Sequence, residues 1–252
     1  MAYWEIVILF FVIAAVYASV GFGGGSSYLA VLALYALPFQ EMRLIALLCN
    51  IIVVTGGTIL FIRQRQVSWR KIAPIIIVSV PAAFLGGRMK IGQNTFFILL
   101  GCSLLVAALL LWIRTDAGRA NETYSEGSWW RNGLLGGAIG FLSGMVGIGG
   151  GIFLSPLLNL LKWDDARRIA ATASLFILVN SISGIAGQWS QLPANLHDGR
   201  ILWLCLAVLI GGQLGARLGA IRFHPLAIRR ITAVLVFFAG TEVLVKHLTA
   251  FK

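Results

Sequence analysis

Ten apolar stretches, separated by charged or turn-forming residues, constrain this chain more than any other feature. They run 4–20, 26–37, 44–62, 72–87 and 96–113, then 132–146, 152–161, 169–187, 201–221 and 231–246. A helix needs roughly 20 apolar residues to cross the hydrocarbon core of a bilayer. The third stretch of each group of five is long enough and the fourth and fifth nearly so. The second of each, 26–37 and 152–161, is too short to cross alone. The sequence is 59% hydrophobic and 12% charged, whereas a soluble domain carries about 25% charged residues. Polar groups are too few to cover the surface, so the solvent for most of the chain is lipid.

The formal net charge of +11 does not signal nucleic-acid binding, because the charges form no single face or helix. They cluster between apolar stretches, in "RQRQVSWRK" (63–71), "KWDDARR" (162–168) and "RFHPLAIRR" (222–230), the pattern of cytoplasmic loops. "MAYWE" carries no Lys or Arg, so the first stretch reads as a retained helix and not a signal peptide. Cys49, Cys102 and Cys205 fall in apolar stretches with no CxxC, and His197, His224 and His247 are far apart. No metal, cofactor or disulfide framework is expected. No triad or carboxylate pair supports an enzyme.

Each short stretch follows a glycine run. "GFGGG" spans 21–25 and "GIGGG" spans 147–151, an offset of 126 residues. "FLGGRM" (84–89) and "QLGARL" (213–218) place Arg88 and Arg217 at matching positions, and Arg43 and Arg168 both precede a third stretch. Three matches in one order indicate a duplication, with repeats at 1–113 and 132–252 and a polar linker at 114–131. If the first two stretches of each half form a hairpin, each half crosses an odd number of times. Loops 63–71, 114–131, 162–168 and 217–230 then share one side with fourteen of the twenty Lys and Arg. If each pair is one broken helix, the charges divide evenly. The positive-inside rule favours the hairpin. The expected fold is therefore an all-α polytopic membrane protein of two inverted-topology repeats. Each has a glycine-broken pair of short helices plus three spanning helices, and both termini are periplasmic. The eight Trp, at stretch ends or in loops, read as interfacial anchors.

Broken backbone inside a membrane is tolerated only where protein or a water-filled cavity covers it. Glycine permits the break, and the helix that follows presents free N–H groups and a positive dipole end, a ready anion site. Paired interruptions at matching positions are the best sequence pointer to a transporter's site. The expected anion-binding residues are Gly23, Gly24, Gly25, Ser26 and Ser27 in the first half and Gly149, Gly150, Gly151 and Ile152 in the second. Asn50, Asn180 and Gln213, polar at membrane depth, are candidate donors; Thr55, Thr172, Ser174, Ser181 and Ser183 share that depth. Interhelical hydrogen bonding is the alternative role for each. Gly136-Gly140-Gly144 and Gly211-Gly215-Gly219 read as helix packing, and Arg88 and Arg217 as snorkelling residues. No carboxylate sits at mid-membrane, which disfavours a cation substrate.

With these residues in view, the chain resembles the TauE/SafE family of bacterial sulfite and organosulfonate exporters. The resemblance rests on "GFGGGSSYLAVLAL" and "GMVGIGGGIFLSPLL", which open the halves, and on "LGGRM" and "LGARL" later in each; it spans nearly the whole chain. The first half departs from the second, with Ser26-Ser27 and Ala30 where Ile152-Phe153 and Pro156 stand. The resemblance implies a permease of the bacterial inner membrane moving a sulfur-containing anion such as sulfite or sulfoacetate. The expected partners are a small anion and the lipid bilayer, not nucleic acid, with the oligomeric state open. An anion channel and a membrane assembly factor that moves no solute are the competing functions.

Overall fold

A computed structural model of the chain describes residues 3–19, 22–35, 37–113, 128–192, 199–219 and 225–248. Most of the expected linker (114–127), with Asp116, Glu122 and Glu126, lies outside the described residues, as do His197 and His224. Among the described residues all regular structure is helical. The order is α1 (Tyr3–Ala18), α2 (Gly25–Leu34), α3 (Phe39–Arg63), α4 (Trp69–Arg88) and α5 (Gln93–Ile113). It continues with α6 (Trp129–Val146), α7 (Gly151–Leu160), α8 (Ala166–Gln188), α9 (Gly199–Gly219) and α10 (Pro225–Leu248). Each expected stretch is one helix. α6 starts at Trp129, so the last three residues of the expected linker are already helical. α3, α4, α5, α8 and α9 are long and apolar enough to span a bilayer. The large apolar side chains they turn outward, among them Ile77, Leu85, Leu109, Leu202 and Ile210, suit a lipid solvent.

The main packing pairs exchange when α1–α5 is swapped for α6–α10. α4 packs on α6 as α9 packs on α1, α4 on α8 as α9 on α3, and α2 on α10 as α7 on α5. α3 packs on α8, and α5 on α10, across the division. The equivalence reaches single residues. A Cβ on Gly86 of α4 would strike the carbonyl oxygen of Phe141 on α6, and one on Gly215 of α9 would strike that of Ala15 on α1. The glycine ladder of α6 explains the closeness of that pair. Gly136, Gly140 and Gly144 meet Ile75, Ser79 and Ala83 of α4, one helical repeat of four after another. Gly211 and Gly215 play the same part against Phe11 and Ala15.

α1 and α2 form a hairpin. Tyr28 stacks on Phe10 with ring centroids 4.6 Å apart, and the Tyr35 hydroxyl, at the far end of α2, donates to Glu5 near the start of α1 (3.3 Å). The chain thus turns back at the glycine run instead of continuing across.

Two residues sit where their sequence context does not place them. Trp163, expected at the interface, is 2% exposed. It lies under the Lys71 ammonium (5.5 Å to the ring) in the α7–α8 loop. There Asp164 pairs with Lys71 (3.0 Å) and Arg168 (3.5 Å) and ties α4 to the start of α8. Arg43, expected in the charged sequence before a spanning helix, lies inside α3 and is 1% exposed. Arg88 and Arg217 are exposed.

Candidate functional site

The two glycine runs, 126 residues apart in sequence, meet at the middle of α3 and α8. A Cβ on Gly23 would strike Asn50 of α3 and lie 3.2 Å from Ile177 of α8. One on Gly149, the equivalent position, would meet the same two side chains, Ile177 at 3.1 Å. Asn50 is fully buried, and its Nδ2 donates to the carbonyl oxygen of Ile148, inside the second run (3.0 Å). Its amide also borders Gly25. One side chain near the centre of the first long helix thus touches both breaks.

The backbone needs glycine at the residue that starts each short helix. Gly24, before α2, has φ 84° and ψ 2°; Gly150, before α7, has φ 78° and ψ −13°. A helix usually starts from an extended residue whose side chain caps the first N–H groups. Here both starts are left-handed and neither has a side-chain cap. The first backbone bonds into the helices are Tyr28 N–H to Gly24 and Phe153 and Leu154 N–H to Gly150. The N–H groups before them are the ones a helix cannot satisfy internally. The packing is equivalent as well: Cβ atoms at Gly24 and Gly150 would lie 3.2 and 3.1 Å from Cγ2 of Ile13 and Ile139, themselves 126 residues apart.

Between the runs lies a cavity of about 10 Å³. Residues 22–26, Tyr17 and Asn50 wall it from the first half, and Ile148, Gly151, Ile152 and Ile177 from the second. Its volume suits about one water molecule. Ser26 Oγ, on the wall, is buried without a hydrogen-bond partner, as are Asn50 Oδ1, Ser143 Oγ and Ser181 Oγ. Ser181 Oγ lies 3.2 Å from a Cβ placed on Gly149, and Ser143 Cβ 3.2 Å from one on Gly150. Buried polar groups are nearly always paired. Two of these atoms, Ser26 Oγ and Asn50 Oδ1, belong to residues that line the cavity, and the hydroxyls of Ser143 and Ser181 lie behind the second glycine run.

Gly23, Gly24, Gly25, Ser26, Asn50, Gly151 and Ile152 line this cavity; Gly149 lies behind Asn50 and Ile177 of its wall, whereas Gly150 faces Phe176, Ile139 and Ser143, which do not line it. Ser27 turns to the Tyr17 hydroxyl (2.6 Å). Asn180 lies elsewhere: its Nδ2 donates to Ser79 Oγ of α4 (3.1 Å) and to the Phe176 carbonyl (2.9 Å). Gln213 is exposed and borders Gly56 of α3. Tyr17, Phe22, Ile148 and Ile177 were not singled out from sequence. The 126-residue offset held a signal for the meeting of Gly23 with Gly149, but none that distinguished these apolar side chains from lipid-facing ones.

A profile of the sulfite exporter TauE/SafE family matches residues 6–243. The chain belongs to this family. It is 35% identical to the probable membrane transporter protein y4hK of Sinorhizobium fredii, over 94% of this chain and 96% of that one. Identity to the probable membrane transporter protein YunE of Bacillus subtilis is 25%, over 87% of this chain and 88% of that one. No solved structure is detectably similar. The chain is thus a multi-pass membrane transporter of the TauE/SafE family and not an enzyme.

Proposed function

We propose that this transporter carries a small sulfur oxyanion, sulfite or an organosulfonate, across the bacterial inner membrane, and that it binds the anion between the two glycine-run helix starts. The observation that carries the reading is the convergence of both uncapped N-termini on one buried cavity at Asn50. Two positive dipole ends facing one pocket favour an anion. The unpaired hydroxyl of Ser26, on the wall, adds a donor, and those of Ser143 and Ser181 stand behind the second run. The sulfur chemistry rests on the family to which the chain belongs.

The α1–α2 hairpin and the symmetric helix pairs support two inverted halves, 1–113 and 132–252, joined by the linker 114–131. In that topology each half crosses an odd number of times, both termini are periplasmic, and the cavity falls near the bilayer midplane. Asn50 is near the middle of the 25-residue α3, and Ile177 near the middle of the 23-residue α8. A cavity of about 10 Å³ is smaller than any sulfur oxyanion. That favours a carrier, whose walls part first to one side and then to the other, over a standing anion channel.

The test is flux into proteoliposomes of purified protein, with sulfite, sulfoacetate, thiosulfate, sulfate and chloride compared. Saturable, counterflow-competent flux of a sulfur anion is the expected result. No flux of any of the five by folded protein would refute the reading and point to a membrane factor that moves no solute.

A further inference from the structure

Arg43 is the largest buried charge in the described structure, and no carboxylate among the described residues pairs with it. One terminal nitrogen donates to two carbonyl oxygens, Gly87 at the end of α4 (3.2 Å) and Gly144 near the end of α6 (3.0 Å). Nε has no partner. Both carbonyls lie in the last turn of a helix, where the dipole is negative, but they offer only part of a counter-charge. Burying an ion without a full counter-charge is costly, and a neutral donor would meet two carbonyls at lower cost. A second buried donor, Gln188 Nε2, also lacks a partner. It sits at the end of α8, where Gly187 packs on the backbone of Phe84 and Arg88.

Arg43 also lies close to the cavity along α3. It precedes Asn50 by seven residues on α3, about two turns, so the two share a face roughly 10 Å apart. The stem of Arg43 lies 3.1 Å from a Cβ placed on Gly147, the first glycine of the second run, while Asn50 holds the next residue, Ile148. The same five-residue run thus passes from Arg43 to the cavity.

We propose that Arg43 is a second anion station. In this closed arrangement its guanidinium is held by the carbonyls of Gly87 and Gly144. As the walls part, it exchanges them for the substrate anion entering or leaving on the α3 N-terminal side. This rests on the anion reading of the glycine-run cavity and adds to it a charge-selecting residue outside the cavity. In the proposed topology that side is periplasmic.

The test compares wild type, R43K and R43Q in proteoliposomes. It uses the sulfur anion the wild type moves, with thermal unfolding in detergent and anion-induced thermal stabilisation measured on the same protein. Gln can donate to one carbonyl without charge, and Lys retains charge without the planar fork. The expected result is that R43Q loses at least tenfold in flux while the anion still stabilises it as it does wild type. R43K recovers most of the flux with a raised KM. If R43Q and R43K have equal flux, or if flux follows melting temperature regardless of charge, Arg43 is a helix clamp and the proposal is overturned. Should R43Q fail to fold, R43K decides: folded R43K with flux reduced tenfold or more overturns it. Failure of the cavity reading is distinguishable, because then wild type itself moves no sulfur anion and none stabilises it.

Discussion

Replacing Gly150 by Ala adds one methyl group where both backbone and packing oppose it. At φ 78° an L-residue pays about 1–2 kcal/mol for the left-handed conformation. The new Cβ would sit 2.7 Å from Phe176 Cε1, 3.1 Å from Ile139 Cγ2 and 3.2 Å from Ser143 Cβ. All three are closer than the 3.5–4.0 Å of unstrained carbon contact, and overpacking of this kind costs about 1–3 kcal/mol. Together these predict a loss of roughly 2–5 kcal/mol and a displaced α7 N-terminus. Gly57 is the control. It lies within α3 with only Ser174 Oγ near its added Cβ, at 3.7 Å. Gly57→Ala there gains roughly 0.5–1 kcal/mol of helix stability. Thermal unfolding in detergent, followed by Trp fluorescence, should rank Gly57→Ala at or above wild type and Gly150→Ala well below both. Flux by the Gly150→Ala protein that does fold should fall tenfold or more. Gly24→Ala should behave as Gly150→Ala does, since its φ is 84° and its added Cβ meets Tyr28 Cζ at 3.0 Å and Ile13 at 3.2 Å. A Gly150→Ala protein as stable and as active as Gly57→Ala would refute the strained-start account.

Four further outcomes follow from three residues. Asn50→Leu leaves the Ile148 carbonyl without its donor and should cost about 1–3 kcal/mol of stability, while Asn50→Asp places negative charge on the cavity wall and should abolish saturable anion flux. Gly144→Ala drives a methyl into the Ala83 carbonyl and should separate α4 from α6; reduced recovery of folded protein, set beside Gly57→Ala, checks it. Asp164→Asn removes the buried partner of Lys71 and Arg168. Both cations are partly exposed, so the loss should be modest, about 1–2 kcal/mol, with faster proteolysis of the α7–α8 loop as the readout.

The helices were legible because charge and turn residues punctuate the apolar stretches. Pro38, the cluster at 63–71 and Asp165, whose side chain caps Arg167 and Arg168, end or start helices where the composition changes. The breaks were legible for a different reason, since three consecutive glycines exceed what packing needs. Side-chain direction was not legible. Asn50 and Asn180 look alike in sequence, both one polar amide in the middle of a long apolar helix. Tertiary contacts alone send one to the glycine runs and the other to Ser79 on α4. A spanning helix is apolar on every side, so its hydrophobic pattern does not say which face meets lipid and which meets protein. Trp163 reads as interfacial because it stands in a charged loop, and Arg43 as lying before the membrane because it precedes an apolar stretch, although both are buried.

The central claim is that the two glycine runs form one anion site reached from either side in turn. Side-specific labelling of Ser26→Cys tests it most directly, in a protein whose Cys49, Cys102 and Cys205 are replaced and which retains flux. A membrane-impermeant thiol reagent is applied from each face of oriented proteoliposomes, with and without a transported sulfonate. Sulfite is avoided here because it consumes thiol reagents. The account predicts labelling from both faces at measurable rates and protection by the sulfonate from each. Labelling from one face only, or rates indifferent to saturating sulfonate, would contradict it.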